Sequence, residues 1–356
     1  MDPLLVTSTE EATGKTAVAL ALATTAQNQG HSVGYMKPKG TRLQSATGKT
    51  RDEDPMLARD LLGLDREMHE LEPIVYTPTF VEEAIRGRED PAELRERLLE
   101  HYDSQAAETD LMVLEGTDRL ETGGIVDLTD PEIAEAVDAN VVLLSRYDEP
   151  EDIDEILAAV DQIGDTLAGV LFNAVPDAQF DQLNTDVVPF LESHDVPVLG
   201  VLPRIQELAG MTVGDLADRL GAQILTSDVA TDLFIERFTV GAMSAESALQ
   251  QFRRTQNAAM ITSGDRSEII TAGLEATGIK CIILSGGFRP TSAVLGTAEE
   301  RGVPILLLQS DTRMTIDRAE DILRTGPTRS ADTVDRVRQL ITDHAEVDSL
   351  IGAASE

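Results

Sequence analysis

Apolar and polar positions fall in blocks along this chain rather than alternating residue by residue. Leu4-Leu5-Val6-Thr7 is short and apolar, as a buried strand is, residues 8–16 are small and polar, and residues 17–23 are apolar with the Ala/Leu content of a helix. The same order recurs. Residues 32–36 read as a second strand after a stop at Gly30, and Asp110-Leu111-Met112-Val113-Leu114-Glu115-Gly116 as a strand ending in a carboxylate. Residues 141–145, 169–173 and 198–203 read as three more strands at helical intervals, with the helix-periodic stretch 153–163 between the first two. Such repetition predicts a parallel sheet covered on both faces, with right-handed crossovers. Residues 60–108 are charged and helical in pattern, with Pro73 and Pro78 marking a connecting loop.

By Arg204 this unit reads as complete, and a new one starts with a helix over 211–221, capped by Thr212 and stopped by Gly221. Mixed strands follow near 223–226 and 234–241, then buried strands at 258–262, 281–285 and 304–308. Each of the last three ends in a small polar loop that leads into a helical segment. If these strands are parallel, the loops 263–266, 285–287 and 309–312 meet at one edge, in a cleft of backbone amides, hydroxyls and Arg266 suited to an anion or a nucleotide-like ligand. The plainer reading is that their serines and aspartates, Asp265 among them, cap helices. Residues 331–351 form an amphipathic helix expected to pack on the second unit or on a partner subunit. The boundaries expected are 1–207, 208–328 and a helical tail at 329–356.

Of 356 residues, 42% are hydrophobic, enough for packed cores in two domains. Charge changes the picture more. Asp and Glu number 64 against 29 Lys and Arg, a formal net charge of −35, which argues against nucleic acid and anionic membrane as partners. The acidic residues are dispersed, as on a halophile-type cytoplasmic surface. Lysine occurs only at Lys15, Lys37, Lys39, Lys49 and Lys280, so four of the five precede residue 51. Where lysine is this scarce, such clustering suggests that sites need it. Cys281 lies in an apolar strand and reads as a buried hydrophobe. The N-terminus lacks a signal-peptide pattern and no apolar run reaches membrane-spanning length, so a cytoplasmic location is expected.

The polar block at 8–16 closes in Gly14-Lys15-Thr16 between a strand and a helix, the context of a phosphate loop. Gly14 lets the backbone approach phosphate, the amides opening the helix point at the anion, Lys15 adds charge over the β/γ oxygens, and the Thr16 hydroxyl can ligate Mg²⁺. The usual pattern wants glycine at position 9, where this chain has Thr9; an ordinary turn is the competing reading. Glu115, at the tip of its strand, would face the same Mg²⁺. Lys37, at the end of the second strand, would face the γ-phosphate. Asp54 lies in the acidic run Arg51-Asp52-Glu53-Asp54; such runs are usually solvated, but its place before Pro55 and a helix suits holding a metal-bound water. Asn173 would either read an adenine edge or cap a loop. A second Ala-Thr-Gly-Lys-Thr at 46–50 has no strand before it and reads as coincidence.

Together these residues resemble dethiobiotin synthetase and its relatives, including the N-terminal domain of long bacterial phosphotransacetylases. The likeness covers about 1–205 and rests on Gly14-Lys15-Thr16, Lys37-Pro38, Asp54, Leu114-Glu115-Gly116, Asn173, and Pro197-Val198-Leu199-Gly200 with Pro203. That family writes Thr at position 9 with Gly before it, so Ser8 is the departure. The resemblance implies an α/β fold, a P-loop NTPase-type parallel-sheet domain, with ATP contacted by Thr9, Thr13, Gly14, Lys15, Thr16, Ala17 and Asn173. It implies Mg²⁺ held by Thr16, Asp54 and Glu115, with Lys15 and Lys37 acting on the phosphates and a carbamate. Residues 210–325 resemble the DRTGG domain, a smaller α/β unit, with Asp265, Arg266, Ser285, Gly286 and Gly287 at the motif positions and Ser267 and Ser285 as departures. The same domain order opens long phosphotransacetylases, and this chain stops before an acyl-transfer domain, so acetyl transfer is not expected.

The function expected is a Mg-ATP-binding sensor or regulatory subunit of acyl metabolism, a homodimer with an unidentified small metabolite at its second domain. The alternative is an ATP-dependent carboxylate- or carbamate-activating ligase. Glu11, where the family commonly has a hydroxyl, would repel an anionic substrate, and Thr117-Asp118 alters the turn after the metal glutamate.

Overall fold

The computed structural model describes the chain apart from residues 41–42, 47–48, 206–207, 209, 228, 242–244, 326–329, 347–350 and 352–356. Two compact units emerge, Met1–Arg204 with Thr328–Glu356, and Ile205–Pro327.

The first unit is built on a six-stranded parallel sheet. Its strands are β1 (Leu4–Ser8), β2 (Val33–Met36), β7 (Leu111–Glu115), β8 (Asn140–Ser145), β9 (Leu167–Val175) and β10 (Val198–Pro203), in the order β10-β9-β8-β1-β7-β2. The near-continuous apolar runs are explained by burial on both faces: Leu4, Leu5 and Val6 are fully enclosed. β1 is flanked by β8 on one side and β7 on the other. The chain turns in opposite directions from it, so the crevice at its carboxyl end is a topological switch point, where open α/β sheets bind ligands.

Helix α1 (Lys15–Asn28) follows β1 and is apolar on every side. A helix with no polar face must be covered twice. The second cover comes from the other end of the chain: α15 (Ala331–His344) lies against α1 and β10, and Gly200 of that edge strand bridges to Ala345. The terminal helix therefore belongs to the first unit, rather than to the second. Val334, Val337, Leu340 and Ile341 form its buried face.

Between β2 and β7 the pattern is finer than a charged helical stretch. Two short strands, β3 (Lys39–Gly40) and β6 (Ile74–Val75), pair in parallel, and β4 (Leu43–Ala46) and β5 (Lys49–Asp52) form an antiparallel hairpin. The second Ala-Thr-Gly-Lys-Thr thus sits at a hairpin with a strand on each side; its Thr47 and Gly48 lie outside the described residues. Helices α2 (Glu53–Leu62), α3 (Met68–Leu71), α4 (Pro78–Ile85) and α5 (Pro91–Ala106) complete the region. Pro78 opens α4 instead of marking a loop, because a first-turn proline gives up no helical hydrogen bond.

The second unit has a five-stranded sheet, β12-β17-β16-β15-β14. β14 (Arg237–Val240), β15 (Ala258–Ser263), β16 (Ile279–Ser285) and β17 (Ile305–Leu307) are parallel, and β12 (Gln223–Ile224) is antiparallel at the edge. Its two faces carry separate cores, one around Met260, Ile270, Ile282 and Leu284, the other around Leu216, Ile261, Ile283 and Leu306. Thr212 caps helix α10 (Val213–Leu220) and Gly221 ends it at φ 64°, as the sequence predicts. Cys281 is fully buried, and burial pushes its thiol pKa up, which makes it inert.

Candidate functional site

The loop between β1 and α1 stands at the switch point. Gly14 adopts φ +96°, and a Cβ placed there would come within 2.7 Å of Asn173 Nδ2, so glycine is required twice over. Asn173, on β9, donates to Thr13 O at 2.7 Å, and Arg146, after β8, donates to Ala12 O and lies 3.9 Å from Glu10. Neighbouring strands thus brace the loop from outside. Helix α1 has no capping side chain, which leaves its first amides to the loop. Thr9 and Ala17 are buried, and Thr13 is 2% exposed with a hydroxyl that finds no hydrogen-bond partner among the described residues.

Three groups predicted to share a metal are brought together. Thr16 Oγ1 donates to Glu115 Oε1 at 2.7 Å, the tip of β7 meeting the first turn of α1. Lys37 Nζ lies 2.5 Å from Asp54 Oδ2, 2.8 Å from Asp52 Oδ2 and 3.6 Å from Glu115 Oε1. Tyr35 donates to Glu115 Oε2 at 2.7 Å. All of these side chains are buried. Burial alone would lower the Lys37 pKa, but Asp54, Glu115 and Asp52 outweigh it and hold the lysine above its ordinary value. Burial raises Asp52 and Glu115, with Lys37 opposing.

Lys15 faces inward as well: its Nζ donates to Ser8 Oγ at 2.5 Å, Asp118 O at 3.1 Å and Glu10 O at 3.3 Å. Ser8, the departure from glycine, therefore supplies a partner that glycine would lack. The loop after Glu115 is pinned from below. Lys39, fully buried, donates to Thr122 O at 2.7 Å, to Leu128 O and to Asp130 Oδ1 at 3.2 Å, while Thr7 of β1 and Thr117 of the loop itself donate to Asp130.

Sequence reasoning missed Asp52, Glu72, Tyr35 and Asp130, and marked Lys39 only through the clustering of the lysines. Asp52 was hidden in an acidic run read as solvent-facing, yet it is fully buried, one oxygen accepting from Asp54 N at 3.0 Å as the N-cap of α2. An Asp just before a first turn that carries two more acidic residues, Glu53 and Asp54, is itself a cap signal. Glu72 packs against Gly40, and burial followed by the Asp52 charge pushes its pKa up to about 8. No nearby pattern marks it.

In the second unit the three predicted loops do meet at the carboxyl edge of parallel strands. Their amides are less available than expected. Gly286 N donates to Ser310 O at 2.7 Å and Gly287 N to Leu308 O at 2.8 Å, so this turn, with both glycines at positive φ, is closed on its own chain. Ser285 Oγ lies 2.7 Å from Thr312 Oγ1, Arg266 donates to Gly241 O, and Asp265 is exposed.

Comparison with known proteins fits this division. An AAA-domain family model matches residues 2–212 and a DRTGG-domain model residues 215–322. Phosphate acetyltransferase of Pseudomonas putida is 23% identical, over 97% of this chain and 51% of its own length; that of Nitratidesulfovibrio vulgaris is 26% identical, over 86% and 44%. The chain spans about half the length of these curated relatives. Among solved structures, the MinD cell division protein of Aquifex aeolicus shares 14% identity over 58% of this chain and 84% of that one, with a TM-score of 0.35. The CBS and DRTGG domains of the regulatory region of Clostridium perfringens pyrophosphatase, complexed with diadenosine tetraphosphate, share 19% over 44% and 69%, with a TM-score of 0.29. No helix among the described residues is long and apolar enough to cross a membrane. With the family model covering more than half of it, the chain belongs to the AAA-domain P-loop family, with a DRTGG domain following.

Proposed function

We propose that the first unit binds Mg-ATP and that the chain serves as a nucleotide and metabolite sensor or regulatory subunit in acyl metabolism, working as a homodimer. The observation that carries this reading is the meeting of Thr16 with Glu115 directly behind the glycine-closed loop. The Gly14 cradle and the unpartnered Thr13 hydroxyl fit a phosphate guest, and the Thr16, Asp54 and Glu115 oxygens fit a hard divalent cation. When bound, that ion would neutralise phosphate charge. Lys15 would leave Ser8 for the β/γ oxygens, and Asn173 would keep the loop in shape. In the second unit, ligand recognition falls to Asp265, Arg266 and the hydroxyls around Ser285, since the glycine amides are engaged. The relatives' name supports a setting in acyl metabolism.

An ATP-dependent carboxylate- or carbamate-activating ligase is the second reading, favoured by a lysine standing beside Glu115 at the carboxyl edge of the sheet. Against it, Lys37 faces three carboxyl groups, an environment that disfavours an anionic acceptor. The test is calorimetric titration with ATP and Mg²⁺ in high salt, wild type against Lys15→Ala, with ADP release measured over a panel of carboxylates. Binding lost in Lys15→Ala and no stimulated release supports the sensor. Substrate-stimulated release supports the ligase, and no binding by wild type defeats both.

A further inference from the structure

Asp52 has two tasks at once. Its Oδ1 caps α2 by accepting from Asp54 N, and its Oδ2 holds Lys37 Nζ at 2.8 Å. The lysine's place is thereby tied to the start of a helix. At that place the ammonium faces two further carboxyl groups, Asp54 at 2.5 Å and Glu115 at 3.6 Å. Glu115 Oε1, which faces Lys37, also accepts from Thr16. A divalent ion held by Thr16 and Glu115 and the Lys37 ammonium would therefore address the same carboxylate oxygen. Lys37 thus occupies the Asp54 and Glu115 oxygens that the ion needs and repels it besides, and an anion that takes the ammonium away relieves both. The unpartnered Thr13 hydroxyl and the Gly14 cradle, on the same loop as Thr16, mark where that anion would lie.

We propose that Asp52 is a positioning residue that keeps Lys37 as the resident cation of this carboxylate nest, so that a divalent ion enters only together with a nucleotide whose phosphates draw Lys37 out. This deepens the Mg-ATP reading and rests on phosphate binding at the β1–α1 loop. It makes metal and nucleotide binding mutually dependent, and by linkage each strengthens the other by the same factor.

The test uses the full chain, with Mn²⁺ alone and ADP as probes and no reliance on turnover. Wild type is expected to show no saturable Mn²⁺ binding by electron paramagnetic resonance without nucleotide, and to bind ADP at least about tenfold more tightly with metal than in EDTA, about 1.4 kcal/mol of coupling. Lys37→Met vacates the seat and should bind Mn²⁺ alone. Asp52→Asn keeps the Oδ1 cap but loosens Lys37, so ADP affinity in EDTA should rise and the metal dependence shrink severalfold. A folded Lys37→Met that binds Mn²⁺ no better than wild type overturns the proposal, as does an Asp52→Asn chain with unchanged metal dependence. If Lys37→Met does not fold, Asp52→Asn decides alone. If wild type binds no ADP at all, the Mg-ATP reading fails, while Mn²⁺ binding by Lys37→Met still decides whether Lys37 is the resident cation.

Discussion

Ile341→Ala tests the most consequential packing in the first unit. Ile341 lies on the buried face of α15 at 1% exposure, and that face rests on α1 and β10. Replacing a buried isoleucine by alanine costs about 2–5 kcal/mol, lost transfer energy plus a cavity. At tenfold per 1.4 kcal/mol, amides of α1 that exchange through unfolding of the first unit should exchange roughly 30-fold to a few thousand-fold faster. The assay is hydrogen exchange with mass spectrometry, comparing peptides from α1 and β10 with peptides from β15 and β16. Acceleration should be confined to the first set. Unchanged α1 protection, or acceleration only in the second unit, would refute the reasoning that the last helix is the outer cover of α1. A fragment ending at residue 207 should fail for the same reason, and adding back residues 328–356 should restore it.

Three further outcomes are expected. Gly14→Ala, which places a methyl against Asn173 at φ +96°, should abolish ADP binding in a titration while leaving the far-ultraviolet circular dichroism unchanged. Glu72, with a folded pKa near 8 against 4.5, binds an extra proton in the folded state across that interval, so stability from this group is fully present below pH 4.5 and is lost as pH rises to about 8. Urea midpoints at pH 6 and pH 8.5 should differ more in wild type than in Glu72→Gln, and equal differences would dismiss the claim. The net charge of −35 predicts that circular dichroism falls toward the unfolded value as salt is removed, and a salt-independent spectrum would dismiss a halophile-type surface.

The main strands and the loop at Gly14 were legible because burial on both faces writes itself as uninterrupted apolar runs, and a phosphate loop needs a specific order of small residues. What stayed hidden had local reasons. The β3–β6 pair is two residues long on each side, and the β4–β5 hairpin is polar, so neither carries a period. Asp52 read as part of a solvated acidic run, since composition cannot separate a capping aspartate from a surface one. The Gly286-Gly287 turn was readable as a turn, but the orientation of its amides was not, because glycine permits both. The site of α15 was in fact signalled, though by α1: a helix without a polar face announces a missing neighbour.

That neighbour arrives late in synthesis. About 300 residues separate the end of α1 from the start of α15. At ribosomal speeds of about 5–20 residues per second, that is roughly 15–60 s during which an apolar helix beside the β1–α1 loop waits without its outer cover. The first unit, although translated first, cannot be the first to finish. The second unit is whole by residue 327 and can fold while the first is still open. Birth order and folding order can thus be inverted in this chain, with the outer side of α1 bare in the interval between them.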